Sequence, residues 1–251
     1  PPLRAEDAPR PKAEAGDSVD IGPPLEPLDE VEAAAQPKAQ AVPEATAIAA
    51  AAAAPSLRGA NSTPAIASGG GCLCVFDIDR TLTGRQGLGP PGCPSNEVQR
   101  GVYDDAYGGG ELTLSPLARS GLGGTACGGC RIGIVSHGTA GGRAMKDKIR
   151  SVIGGADDHW STPHHIHSPL VIGCGYKPPC VQGVLDWFNR RGAGIPPWNV
   201  HLFDDKRSNV EAFRGSAMNA HQISCAGGDG DIGRCGAEPH EIRLSPGVSV
   251  C

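Results

Sequence analysis

The chain has 251 residues, room for one sizeable domain or for one domain with a tail. Its formal charge of −5 is unevenly placed: residues 1–70 hold 5 Lys/Arg against 10 Asp/Glu, and 17 of each sign cancel in the remainder. No basic run marks a nucleic-acid partner, and no apolar run is long enough to span a bilayer.

Residues 1–70 are rich in Ala, Pro and Glu and nearly empty of aromatic and large aliphatic side chains. Such a segment buries too little apolar area to offset its ordering entropy, so it is expected to be a disordered tail. The Ala-rich stretch Ala45–Ala54 is too short and too weakly apolar for a membrane span. A glycosylation triplet, Asn61-Ser62-Thr63, precedes Pro64, and no secretory leader is visible; a start at Pro1 rather than Met reads as a processed or partial chain.

From residue 71 onward strands alternate with helices, the order of a parallel sheet with crossover helices. The first strand, Leu73–Phe76, runs into Asp77 and Asp79, with hydroxyls following at Thr81 and Thr83. Residues two apart on a strand share a side, so both carboxylates are expected to converge. Like charges held that close require a shared proton or a cation, and carboxylate oxygens alone suit a hard ion, Mg²⁺ above others. The stretch 84–130 is dominated by Gly, Pro and Cys, with one short helix expected near Glu97–Ala106. A second strand, Arg131–Val135, delivers Ser136 and His137, and a helix is expected over Ala144–Ile153, with Lys146 and Lys148 on its solvated face. His164, His165 and His167 fall in a polar loop, read as exposed in preference to metal-binding. A third short strand, Leu170–Ile172, precedes Lys177 and a helix at Val181–Phe188, whose Trp187 and Phe188 belong to the core. Val200–Phe203 delivers Asp204 and Asp205; a helix at Asn209–Phe213 and a strand at His221–Ser224 follow. In open α/β sheets ligands bind at the carboxyl ends of the strands, so Asp77, Ser136 and Asp204 are expected to share one crevice.

All ten cysteines lie after residue 71. The even count predicts disulfides and an oxidising compartment, although a secreted or luminal address and a cytoplasmic one both remain open. Cys127-Gly-Gly-Cys130 lacks the second pair that zinc needs, so it is read as structural, bridged within itself or to other cysteines. Cys225 and Cys235 flank a Gly-rich loop and are expected to bridge.

Asp77-Ile-Asp79-Arg-Thr81, Ser136 after Ile-Gly-Ile-Val, Lys177 before Pro178, and Asp204-Asp205 after His-Leu-Phe together resemble the four motifs of the haloacid dehalogenase superfamily, over about residues 72–225. In motif style the chain is similar to the small magnesium-dependent phosphatases of that superfamily, which carry no large cap. The resemblance implies a three-layer, Rossmann-like α/β core over 71–251 and Mg²⁺-dependent hydrolysis of a phosphate monoester, small or macromolecular. It implies Asp77 as nucleophile and Asp79 as acid and base. Ser136 and Lys177 become phosphoryl contacts, with Thr81 and His137 beside the substrate. Asp77, Asp79 (through its main-chain carbonyl) and Asp205 become the metal holders, with Asp204 either a ligand or a residue supporting one. Arg80 stands where many relatives have Gly, and its side chain is expected to face out. Asn209 stands where many have an acid, and is expected to orient Asp205 or a metal-bound water. Neither 84–130 nor the stretch between Ser136 and Lys177 has room for a separate folded cap, so an open crevice is expected. Two other readings remain: a catalytically silent binding module of the same fold, and a disulfide-rich secreted interaction protein.

Overall fold

Along the chain the elements run β1 (Leu73–Phe76), β2 (Glu97–Asp104), β3 (Gly110–Leu114), α1 (Pro116–Ser120), β4 (Arg131–Val135), α2 (Arg143–Val152), β5 (Leu170–Val171), α3 (Lys177–Asn189), β6 (Val200–Asp204), α4 (Arg207–Glu211), β7 (Asn219–Gln222), β8 (Gly228–Asp229), β9 (Ile232–Gly233) and β10 (Val248–Ser249). This computed structural model describes residues 71–154, 159–225, 228–229 and 232–251, all within a unit spanning Asn61–Cys251. The tail expected at 1–70 lies outside the described residues.

Six strands form one sheet in the order β10-β7-β6-β1-β4-β5, and every neighbouring pair is parallel. Strand β1 is fully buried. A strand covered on both faces needs apolar residues at every position, which is why Leu-Cys-Val-Phe shows no alternation. Its side chains part by parity. Cys74 and Phe76 join one core with Ile134 and Phe203, under α2 (Met145, Ile149), α1 (Leu117) and the β2–β3 hairpin (Leu112, Leu114). Leu73 and Val75 join the other with Val135 and Leu202, under α3 (Val181, Val184, Leu185) and the α4 segment (Val210, Phe213). Each large aliphatic or aromatic side chain buried this way contributes about 1.5–3 kcal/mol. The fold is therefore α/β, with a sheet covered on both faces.

The sequence places β1, β4, β5 and β6 to within a residue at each end. Two expectations shift. The strand expected at His221–Ser224 begins two residues earlier, and Ser224 itself lies at φ 60°, outside strand conformation. The helix expected near Glu97–Ala106 is instead β2, paired antiparallel with β3. Val98, Val102 and Tyr103 favour the pleated conformation. Gly108 and Gly109, at φ 98° and 81°, permit the reversal that a helix would not contain.

All ten cysteines are bridged: Cys72–Cys130, Cys74–Cys127, Cys93–Cys235, Cys174–Cys180 and Cys225–Cys251. The expected Cys225–Cys235 bridge is thus replaced by two longer closures. Cys127 and Cys130 reach back to β1 because Leu73 pairs with Arg131, which brings Cys130 beside Cys72. Among the described residues no helix is long and apolar enough to cross a membrane.

Candidate active site

The sheet order reverses at β1, which has β4 on one side and β6 on the other. The carboxyl ends of these three strands frame the crevice where α/β proteins take their ligands. Asp77 follows β1 directly, its N–H donating to the Phe203 carbonyl at 2.9 Å. After it the chain winds into a tight turn, Ile78–Leu82, in which Arg80 takes a left-handed φ of 61°. Thr83 closes the turn by accepting from the Arg80 N–H and donating its hydroxyl to the Ile78 carbonyl. Asp77 and Asp79 do reach the same cavity, of about 410 Å³. The cause differs from the one expected: strand alternation ends at Phe76, and the winding turn swings Asp79 inward.

Lys177 starts α3 and sends its side chain back under the crevice, where it is 1 % exposed. Its Nζ donates to Asp77 Oδ1 at 2.8 Å, lies 3.2 Å from Asp204 Oδ2, and also donates to the Val135 carbonyl. Burial pushes the lysine toward neutrality, but Asp77 and Asp204 outweigh it and hold the ammonium above its ordinary range. Asp77, Asp204 and Asp205, all buried, bring ligand oxygens within 4.8 Å of one another. The Asp79 carboxylate is not part of that cluster. Burial, then the neighbouring Asp77 and Asp104, raise its pKa to about 8, so it carries a proton at neutral pH.

Asp204 is held from several sides. Oδ1 accepts from the Lys206 N–H at 2.8 Å, Oδ2 faces Lys177, and Asn209 Nδ2 reaches both oxygens at 3.0 Å. That surrounding suits a support better than a ligand, and it shows Asn209 engaging Asp204 where Asp205 or a water was expected. Burial raises the Asp204 pKa to about 6 against the opposing pull of Lys177.

Ser136 is fully buried just past the end of β4, and its hydroxyl finds no hydrogen-bond partner among the described residues. A Cβ at Gly138 would stand 3.9 Å from that hydroxyl and 2.9 Å from Asp79 Oδ2, so Ser136 and Asp79 flank one spot that only glycine leaves open. His137 lines the cavity. Thr81 is buried, its hydroxyl has no partner among the described residues, and it does not line the cavity.

Sequence reasoning missed the hairpin's part in the site. Asp105, Ala106 and Tyr107, at the turn after β2, line the cavity together with Thr139 and Lys206. Asp105 accepts from the Thr139 hydroxyl at 2.9 Å, tying the hairpin tip to the loop after β4. Arg80 does not face out: it is 6 % exposed, with its guanidinium 4.8 Å from the Tyr107 ring centre. The crevice therefore has a hairpin wall in addition to the sheet. The run of three glycines after Tyr107 was the available signal for it.

No family model matches the chain, and no curated protein is similar to it. Among solved structures, a hypothetical protein from Xanthomonas campestris is similar at 18% identity and a TM-score of 0.34, over 60% of this chain and 64% of that one. At that score the likeness carries nothing further.

Proposed function

We propose that this chain is a Mg²⁺-dependent phosphomonoesterase working through an aspartyl-phosphate, the activity implied by its resemblance to the haloacid dehalogenase superfamily. The assignment of the sheet to a Rossmann-like core of that superfamily belongs to the same proposal. The observation that carries it is the meeting of Asp77, Asp204 and Asp205 within 4.8 Å, beside Lys177 at 2.8 Å from Asp77.

The residues fit a hard divalent cation. Three buried carboxylates meet there, two of them against Lys177, and the donors of the cluster are all oxygen. Asp77 and Asp205 would hold the ion, with the Asp79 carbonyl added by the resemblance and Asp204 steadying the set. Bound there, Mg²⁺ would offset the charge of a phosphoryl group approaching Asp77.

In the first half-reaction an Asp77 oxygen attacks phosphorus and the bond to the leaving oxygen breaks. Asp79, reaching the cavity as the protonated acid, gives that oxygen its proton. In the second, the Asp79 carboxylate takes a proton from water, the water oxygen attacks phosphorus, and Asp77 leaves as free carboxylate with release of phosphate. Lys177 holds Asp77 in place by its 2.8 Å hydrogen bond, and the Ser136 hydroxyl donates to a phosphoryl oxygen. Preorganised charge of this kind is commonly worth about 3–4 kcal/mol per group.

The test is hydrolysis of an aryl phosphate with Mg²⁺ by wild type and Asp77→Asn, alongside circular dichroism of both. The variant is expected to lose at least about 10³-fold in rate with an unchanged spectrum. Equal rates, or a wild type without Mg²⁺-dependent turnover, would remove the proposal and leave a binding module.

A further inference from the structure

We propose that the Cys174–Cys180 bridge is a positioning element of the crevice, holding Lys177 against Asp77 and joining it to the loop after β4, a role that rests on the phosphatase reading of that crevice. The bridge spans a sequence separation of 6, and Lys177 stands at its midpoint, three residues from either cysteine. The other bridges have separations from 26 to 142. A short closure restrains the unfolded chain least, so on loop-closure entropy this bridge is the least stabilising of them. Its use lies in where it sits.

Both ends of the ring are anchored in the site. The Cys174 N–H donates to the Ser136 carbonyl at 2.9 Å, and the Gly173 N–H donates to the Gly138 carbonyl at 3.0 Å. Gly175 lies against a residue of the cavity wall: a Cβ built there would stand 3.6 Å from His137 Cε1. At the other end, Cys180 is buried in the first turn of α3.

That first turn lacks the usual fastening. Tyr176, at the N-cap, makes no side-chain cap, and Pro178 and Pro179 have no N–H with which to bind a neighbour. The bridge supplies a covalent link instead, running from the turn that carries Lys177 to the segment bonded to Ser136 and Gly138. Lys177 Nζ meets Asp77 at 2.8 Å, and a group misplaced by about 1 Å in such a site can cost about 10²-fold in rate.

The test compares Cys174→Ala/Cys180→Ala with Cys72→Ala/Cys130→Ala, which removes a bridge at the amino ends of β1 and β4, away from the crevice. Labelling with acetic anhydride, read by peptide mass spectrometry, follows Lys177, with the exposed Lys206 as the reference for an open amine. Lys177 is expected to be labelled at least about tenfold faster than in wild type in the first variant, and at the wild-type rate in the second. Turnover of an aryl phosphate with Mg²⁺ is expected to fall at least about tenfold in the first variant and to hold in the second. Circular dichroism checks that each is folded, and Cys174→Ser/Cys180→Ser is a second removal of the same bridge. Lys177 labelling that stays at the wild-type rate without the bridge, or that rises equally in Cys72→Ala/Cys130→Ala, would overturn the proposal, as would undiminished turnover. A wild type without turnover removes the phosphatase reading alone, and the labelling still decides whether the bridge holds Lys177.

Discussion

Lys177 holds the crevice together. It is the buried cation between Asp77 and Asp204, and removing one partner of a buried ion pair costs about 3–5 kcal/mol, because the charges left behind have neither water nor counter-ion. Lys177→Ala should therefore lose stability of that order in urea titrations with EDTA present, and Mg²⁺ should restore part of it. Gly138 acts differently. A Cβ there meets Asp79 Oδ2 at 2.9 Å, and the atom that must yield is the end of a side chain, so the fold survives while the carboxyl moves. Gly138→Ala should keep its melting temperature within about 2 °C, as expected for a change below 1 kcal/mol, yet lose tenfold or more in aryl phosphate turnover. Asp77, Asp79, Ser136, Lys177, Asp204 and Asp205 were legible in the sequence because each stands at a strand end or helix start that the apolar runs mark. Arg80 and Tyr107 were not legible. A buried arginine under a tyrosine ring depends on a left-handed residue and on a hairpin that returns across the crevice, and neither leaves a local pattern.

Strands β6 and β7 carry a second buried polar feature. His201 Nδ1 and His221 Nε2 lie 3.1 Å apart, and His221 Nδ1 meets the Ser249 hydroxyl on β10 at 3.0 Å. Burial lowers both pKa values to about 4, with His221 adding to the effect on His201. Below pH 6.5 the unfolded chain takes up protons that the folded pair refuses. Stability should accordingly fall as pH drops from about 6.5 to about 4, by at most on the order of 3 kcal/mol per imidazole. Urea midpoints measured between pH 7.5 and 5 should show this decline, and a His201→Gln/His221→Gln double variant should flatten it. At this scale the central strands were readable because burial on both faces demands unbroken apolar runs. The hairpin differs from the expected helix because only Asp104 of Glu97–Asp104 is buried, so no burial pattern overrode the impression of a short polar helix.

For the whole molecule, four of the five disulfides join segments at least 26 residues apart, and Cys174–Cys180 closes a local loop. The Cys93–Cys235 bridge, at a separation of 142 residues, ties the loop before the hairpin to the C-terminal segment. Removing the bridge by Cys93→Ser/Cys235→Ser should cost about 2–5 kcal/mol in chemical unfolding, with the usual larger effect of longer loops. Native protein should show no reactive thiols. The existence of disulfides was evident from ten clustered cysteines; their pairing was not, because connectivity depends on which strands become neighbours. Cys130 meets Cys72 only once β1 and β4 lie side by side, and nothing local announces that register. The same assembly brings Asp77 from β1, Lys177 from α3 and Asp205 from beyond β6 into one crevice. The most direct measurement of whether this crevice handles phosphate is a crystal structure grown with Mg²⁺ and beryllofluoride. Beryllofluoride is expected on Asp77, with the ion held by Asp77 and Asp205 and the Ser136 hydroxyl turned to a fluoride. An unmodified Asp77, or an ion bound elsewhere, would contradict the proposed mechanism.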